Sequence, residues 1–304
     1  MAHAHEHGHD HAPKDFGRAF AIGVTLNLGF VLVEWLYGYL AGSLALIADA
    51  WHNLSDVFGL LLAWGAAWLS ARAPTPRRTY GYRRSSILAA LANAVVLLIA
   101  VGGIVWEAVR RLQSPEPIAG GTVMWVAAIG IAINAGTAML FVSGRKDDLN
   151  IRGAFLHMVA DAAVSLGVVV AAAVIMATGW LWLDPMVSIL IAVVITVGTW
   201  GLLRDSVNLA MDAVPENIDP HAVEAYLASQ PQVSEVHDLH IWGMSTTETA
   251  LTVHLVRPAG TADDGLLARV RHELHHRFGI GHSTIQIETS DPARPCPQAP
   301  AHVV

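Results

Sequence analysis

The sequence predicts an α-helical membrane protein, with six transmembrane helices followed by a small cytoplasmic α+β domain. Three observations predict it. Of the 304 residues, 54% are hydrophobic and only 14% are charged, whereas soluble chains carry about 25% charged residues. Six apolar runs, each close to the roughly 20 residues that span a bilayer core, follow one another along the first two-thirds of the chain. Beyond Arg204 the composition turns charged and mixed, with the periods of short helices and strands.

The apolar runs lie near Phe20–Leu40, Leu44–Leu69, Ile87–Val109, Val123–Val142, Ala154–Thr178 and Pro185–Leu203. Short breaks separate them, namely Ala41-Gly42-Ser43, Arg72 to Arg84, Arg110 to Gly121, Ser143 to Gly153 and Gly179 to Asp184. Lys and Arg near helix ends set the orientation. One side collects Lys14, Arg18, Arg72, Arg77, Arg78, Arg83, Arg84, Arg145, Lys146, Arg152 and Arg204, and the other only Arg110 and Arg111. Both termini are therefore expected in the cytoplasm, as an even number of spans requires. The N-terminal residues are polar and His-rich, not a basic stretch followed by an apolar one, so no secretory signal is expected.

Residues 16–204 thus form the predicted membrane domain and 205–291 a cytoplasmic domain ordered helix, strand, strand, helix, strand. Asp219-Pro220 opens the first helix, an acid and a proline being a good start signal. Val233–Trp242 and Ala250–Val256 read as a hairpin, Asp263–Phe278 as an amphipathic helix and Thr284–Glu288 as the last strand. Residues 1–15 are a His-rich head and 292–304 a Pro/Ala tail, both expected to be disordered. The single cysteine, Cys296, lies in that tail, so no internal disulfide can form.

Ionisable residues inside apolar spans are costly and call for an explanation. The second span holds His52 and Asp56, and the fifth holds His157 and Asp161. Positions i and i+4 share one helix face. One such pair could be a structural hydrogen bond between helices; two pairs in separate spans point instead to a metal. Two imidazoles and two carboxylates suit tetrahedral Zn²⁺, whereas Mg²⁺ and Ca²⁺ take six or more oxygens. Asp49 and Asn53 flank the pair in the second span and are candidates for outer positions around the metal. Of the 16 histidines, five lie in the head and nine beyond residue 220. The head can chelate metal loosely as a buffer or delivery arm, and His221, His272, His275, His276 and His302 are expected to be inert.

The run Ser43-Leu-Ala-Leu-Ile-Ala-Asp49-Ala-Trp-His52-Asn-Leu-Ser-Asp56 resembles the second helix of the cation diffusion facilitator family. Tyr80-Gly81-Tyr82-Arg83-Arg84, Asp184-Pro185 and His237-Asp-Leu-His240-Ile-Trp242 match the same family, and the resemblance covers about residues 16–290. It implies a homodimeric, proton-coupled antiporter that exports a divalent cation, with a ferredoxin-like metal-binding domain in the cytoplasm. It implies metal ligation by His237, His254 and Glu288, with His282 as a further ligand and His240 as a substitute. It also implies that Arg84 pairs with Asp212 in the dimer. The two-His, two-Asp site resembles that of zinc-preferring members, while all-Asp sites go with manganese. The loop Arg72 to Arg84 lacks the His and Asp of an extra site that some members carry, and that site is expected to be absent.

Zn²⁺ is thus the expected substrate and regulatory ligand, with Cd²⁺ and Co²⁺ as further substrates. Protons, the lipid bilayer of an inner or plasma membrane and a second copy of the chain are the other expected partners, and no nucleic acid is among them. No enzymatic activity is expected. A membrane zinc hydrolase would need an open metal position and a base, as in His-Glu-x-x-His. The nearest run, His272-Glu273-Leu274-His275-His276, is read as departing from that spacing and lies in the predicted soluble domain. The alternative reading is a membrane-anchored metal sensor or buffer without transport, for which ligands buried on two spans would serve no purpose.

Overall fold

The computed structural model describes residues 16–70, 72–142, 149–257, 264–289 and 296–300. Six long helices come first: α1 (Phe16–Ala41), α2 (Leu44–Ser70), α3 (Ser85–Gln113), α4 (Gly120–Phe141), α5 (Leu149–Thr178) and α6 (Leu183–Ala210). They are followed by α7 (Pro220–Ala228), β1 (Glu235–Gly243), β2 (Thr249–Val256), α8 (Asp264–Phe278) and β3 (Ile280–Glu288). Among the described residues, α3, α4, α5 and α6 contain segments long and apolar enough to cross a membrane. Their outward side chains, such as Ile99, Trp106, Trp125, Met139, Leu190 and Val197, are apolar and exposed. That is the pattern of helices solvated by lipid, because water would not tolerate such continuous apolar faces. The His-rich head and His302 lie outside the described residues.

The chain divides by packing into two units, one of residues 1–58 and 96–199, the other of residues 59–95 and 200–304. In the first, α4 packs along α5 and α1. Its core contains Phe30, Leu46, Leu97, Val101, Ile104, Val126, Val168, Ile191 and Ile195. Small residues let the helices approach. A Cβ at Gly38 would lie 3.1 Å from Leu46 and Ile47, and one at Gly130 would lie 2.7 Å from the Phe30 ring. The turn from α1 to α2 needs Gly42, whose φ of 70° is the left-handed cap conformation. The start of α2 is then held by Asp184 at the N-terminal end of α6. Its carboxylate accepts from Ser43 Oγ at 2.5 Å, Leu44 N at 2.8 Å and Ala45 N at 3.4 Å. These satisfy amide donors that a helix end leaves without partners.

In the second unit, β1 pairs antiparallel with β2, and β2 parallel with β3, giving the sheet order β1-β2-β3. The core under the sheet is Ile218, Val223, Leu227, Leu251, Val253, Leu255, Leu266, Val270, Leu274 and Ile280. Asp219 caps α7 by accepting from His221 N at 2.9 Å. The last strand begins at Ile280, earlier than the expected Thr284. Gly279, at φ 71°, ends α8 and turns the chain directly into it. The polar His282-Ser283-Thr284 portion of that strand, exposed at His282 and Thr284, hides its period in the sequence. Helix α6 continues to Ala210, past the Arg204 where the apolar run stops, because a helix need not end where its apolar pattern does.

Candidate metal sites

Helices α2 and α5 bring His52, Asp56, His157 and Asp161 together in the first unit. His52 Nε2 lies 3.3 Å from Asp161 Oδ1 and 3.8 Å from Asp56 Oδ2. His157 Nε2 lies 3.2 Å from Asp56 Oδ2 and 3.6 Å from Asp161 Oδ2. Ligands of a tetrahedral zinc centre stand about 3.3–3.5 Å apart for metal–donor lengths of about 2.0–2.2 Å. The four residues therefore alternate imidazole and carboxylate, Asp56 being joined to the others through the two imidazoles but standing outside the group whose ligand atoms all lie close together. His52, His157 and Asp161 also converge as a group, with all ligand atoms within 4.8 Å of one another. Asp161 is only 2% exposed, so its carboxylate lacks the water that would otherwise stabilise its charge.

Polar groups around the tetrad are buried as well. Asp49 accepts from Ser165 Oγ at 3.0 Å, and Asn53 Nδ2 donates to Glu34 Oε2 at 3.2 Å. Asn53 and Asp49 thus face partners on α1 and α5 and are not themselves in the converging group. Glu34, fully buried on α1, was missed by the sequence reasoning. The signal was present, since it is an acid inside an apolar run.

The cytoplasmic candidates separate into two places. His237 and His254 are cross-strand partners on β1 and β2, and Val256 on β2 pairs with Glu288 on β3. His237 Nε2 is 3.3 Å from Glu288 Oε2, and His254 Nδ1 is 3.0 Å from Glu288 Oε1. Cys296 joins them, its Sγ 3.6 Å from His254 Nδ1, and the ligand atoms of His237, His254, Glu288 and Cys296 all lie within 4.8 Å. Burial raises the Glu288 pKa. Hydrogen bonds from Cys296 and Gln286 and the facing His237 and His254 outweigh it, holding the carboxyl below its ordinary range.

His240 and His282 stand outside this group. The strand carries a bulge between His237 and His240, with Asp238 at a left-handed φ of 51°. Aspartate is among the few residues that adopt this conformation at modest cost. The bulge turns Asp238 toward His254 Nε2 at 3.5 Å and His240 Nε2 at 3.0 Å. His254 therefore has one ring nitrogen facing the ligand group and the other facing a carboxylate, an arrangement that fixes the orientation of ligating imidazoles. His240 lines an open cavity of about 650 Å³ with Arg84, Asp212 and Trp242. His282 packs edge-on against Tyr80 with ring centroids 5.7 Å apart. Asp238 and Cys296 were both missed by sequence reasoning, because a bulge has no period and a lone cysteine in a proline-rich tail has no partner spacing.

Arg84 is ion-paired with Asp212, and Arg83 with Glu248 at 2.6 Å. His272-Glu273-Leu274-His275-His276 does carry the His-Glu-x-x-His spacing, and α8 brings the His272 and His276 rings to 4.2 Å. Among the described residues no third ligand joins them to form a converging group.

The chain matches known proteins over nearly all of its length. Residues 20–209 match the cation efflux transmembrane domain, and residues 215–290 match the cytoplasmic domain of cation efflux proteins. The zinc transporter ZitB of Escherichia coli is 39% identical over 293 residues, covering 95% of this chain and 93% of that protein. A cadmium, cobalt and zinc/H⁺-K⁺ antiporter of Bacillus subtilis is 34% identical, covering 93% of this chain and 92% of that protein. Among solved structures, the metal-bound C-terminal domain of a CzcD transporter is 35% identical. It covers 23% of this chain and 99% of that domain, with a TM-score of 0.22.

Proposed function

The chain belongs to the cation diffusion facilitator family, and from that premise we propose a zinc-preferring exporter driven by protons. It is an integral membrane protein of divalent cation efflux. The observation that carries the finer reading is the alternation of two imidazoles and two carboxylates on α2 and α5. Two carboxylates and two neutral imidazoles cancel the charge of a divalent ion. They offer it the nitrogen and oxygen donors that zinc, cadmium and cobalt accept and that magnesium and calcium do not require.

Coupling to protons follows from the same donors. Zinc needs neutral imidazole and ionised carboxylate, so binding expels whatever protons the tetrad holds. A site open to the cytoplasm takes zinc and releases protons. Opened to the other side, it takes protons and releases zinc. An inward proton gradient thus drives outward metal movement by alternating access. The sequence supports six spans with both termini in the cytoplasm, through the excess of Lys and Arg on one side. His237, His254 and Glu288 form a cytoplasmic regulatory centre in a homodimer, in which Arg84 and Asp212 tie the cytoplasmic loop to the domain.

The test is metal entry into proteoliposomes carrying a trapped pH dye, with zinc, cadmium, cobalt and manganese supplied in turn. Zinc and cadmium should each move with an opposite proton signal, and Asp161→Ala should abolish both movements. Manganese moving as fast as zinc would overturn the selectivity, and zinc moving without a proton signal would overturn the coupling. A protein that binds zinc and moves none would instead be a membrane-anchored sensor.

A further inference from the structure

We propose that Cys296 supplies a thiolate to the cytoplasmic centre, making it a site of two imidazoles, one carboxylate and one sulfur for zinc or cadmium. This rests on the reading that His237, His254 and Glu288 bind metal at all. The observations that extend it to sulfur are geometric. In a tetrahedral zinc site with zinc–sulfur of about 2.3 Å and zinc–nitrogen of about 2.0–2.1 Å, sulfur and nitrogen stand about 3.5–3.6 Å apart. The Cys296 Sγ to His254 Nδ1 separation is 3.6 Å. The oxygen-to-nitrogen edges from Glu288 to His237 and His254 are 3.3 and 3.0 Å, close to the corresponding edge of about 3.3–3.4 Å.

A second observation points to a ligand. The His237 side chain is only 7% exposed, and its ring nitrogens face carboxylate oxygens at 3.3 Å, Nδ1 that of Glu235 and Nε2 that of Glu288, without making a hydrogen bond to either. A buried imidazole with both nitrogens unsatisfied is costly unless something else takes one of them. The ligand atoms of His254, Glu288 and Cys296 lie within 4.8 Å of the His237 ligand atom, so an ion among them would. Ala299 N donates to Cys296 O at 3.2 Å and closes a turn at the cysteine.

The donor set separates this centre from the one in the membrane. Sulfur favours zinc and cadmium over manganese and magnesium more strongly than a second carboxylate does. The cytoplasmic centre therefore answers to the softer ions among those that the tetrad admits. A resting thiol that merely lies against His254 would lack that selectivity.

Because Cys296 is the chain's single cysteine, any metal–sulfur signal must come from it. The experiment titrates cobalt into the purified full chain in detergent, in an Asp161→Ala background that silences the membrane tetrad. The visible bands of tetrahedral cobalt should rise together with a near-ultraviolet sulfur-to-cobalt charge-transfer band. Cys296→Ser should lose the charge-transfer band and weaken binding by about tenfold or more. Zinc should also protect Cys296 from alkylation by iodoacetamide, and His254→Ala should remove that protection. Tetrahedral cobalt bands without charge transfer, unchanged in Cys296→Ser, would overturn the thiolate while leaving the cytoplasmic centre standing. No cobalt binding that His254→Ala abolishes would overturn both.

Discussion

In the membrane tetrad every donor has two neighbours of the opposite kind, so exchanging imidazole for carboxylate changes both charge and hardness. With His52 and His157 both replaced by aspartate, four carboxylates would over-neutralise a divalent ion and favour harder metals. We expect His52→Asp/His157→Asp to lower zinc flux and raise the ratio of manganese to zinc flux. Unchanged ratios in a metal panel would show that selectivity resides elsewhere. Around the tetrad, the Ser165 hydroxyl donates to Asp49 in a buried setting. Ser165→Ala leaves that carboxylate without its donor, and zinc affinity should fall on the order of tenfold, as is common for groups that support ligands. Competition binding against a zinc dye measures it, and wild-type affinity would mean that Asp49 does not act on the site. The four candidate ligands were legible in the sequence, since the i, i+4 pairing of His with Asp is a local rule. Glu34, Asp238 and Cys296 were not found, although Glu34 broke the rule against acids in apolar runs. The other two depend on a bulge and on a turn that bring distant segments together.

At the scale of elements, α2 carries half of the tetrad, and its first turn is held by Asp184 of α6. Removing that buried cap should destabilise the membrane region by about 1–2 kcal/mol. Thermal unfolding in detergent would report it as a lower midpoint for Asp184→Ala, and an unmoved midpoint would contradict the capping role. The long helices could be read from hydropathy alone because lipid and core both demand apolar side chains. Their ends could not. Helix α6 runs on to Ala210 through residues whose pattern is no longer apolar, and β3 starts at Ile280 within a polar stretch. The strand order and the hairpin were visible in period-2 alternation, but the shift between His237 and His240 was not. That shift sets His237 and His240 on the same face of the sheet, where an unbroken strand would put them on opposite faces.

For the whole molecule, the loop between α2 and α3 is ion-paired to the C-terminal part of the chain through Arg84–Asp212 and Arg83–Glu248. Both pairs are half-exposed, so their worth in stability is small, about 0–1 kcal/mol. Their effect should appear in transport instead. Arg84→Asp and Asp212→Arg should each slow zinc flux, and the double reversal should restore it. Failure of the double variant to recover would mean that the two charges act separately. The α2–α5 tetrad is proposed to move zinc against protons. The most direct test imposes a pH gradient on proteoliposomes and follows zinc entry with an internal fluorescent indicator, for wild type and Asp161→Ala. Zinc uptake should rise with the gradient, disappear when an ionophore collapses it, and be absent in the variant. Zinc uptake that ignores the gradient, or that survives in Asp161→Ala, would contradict that proposal.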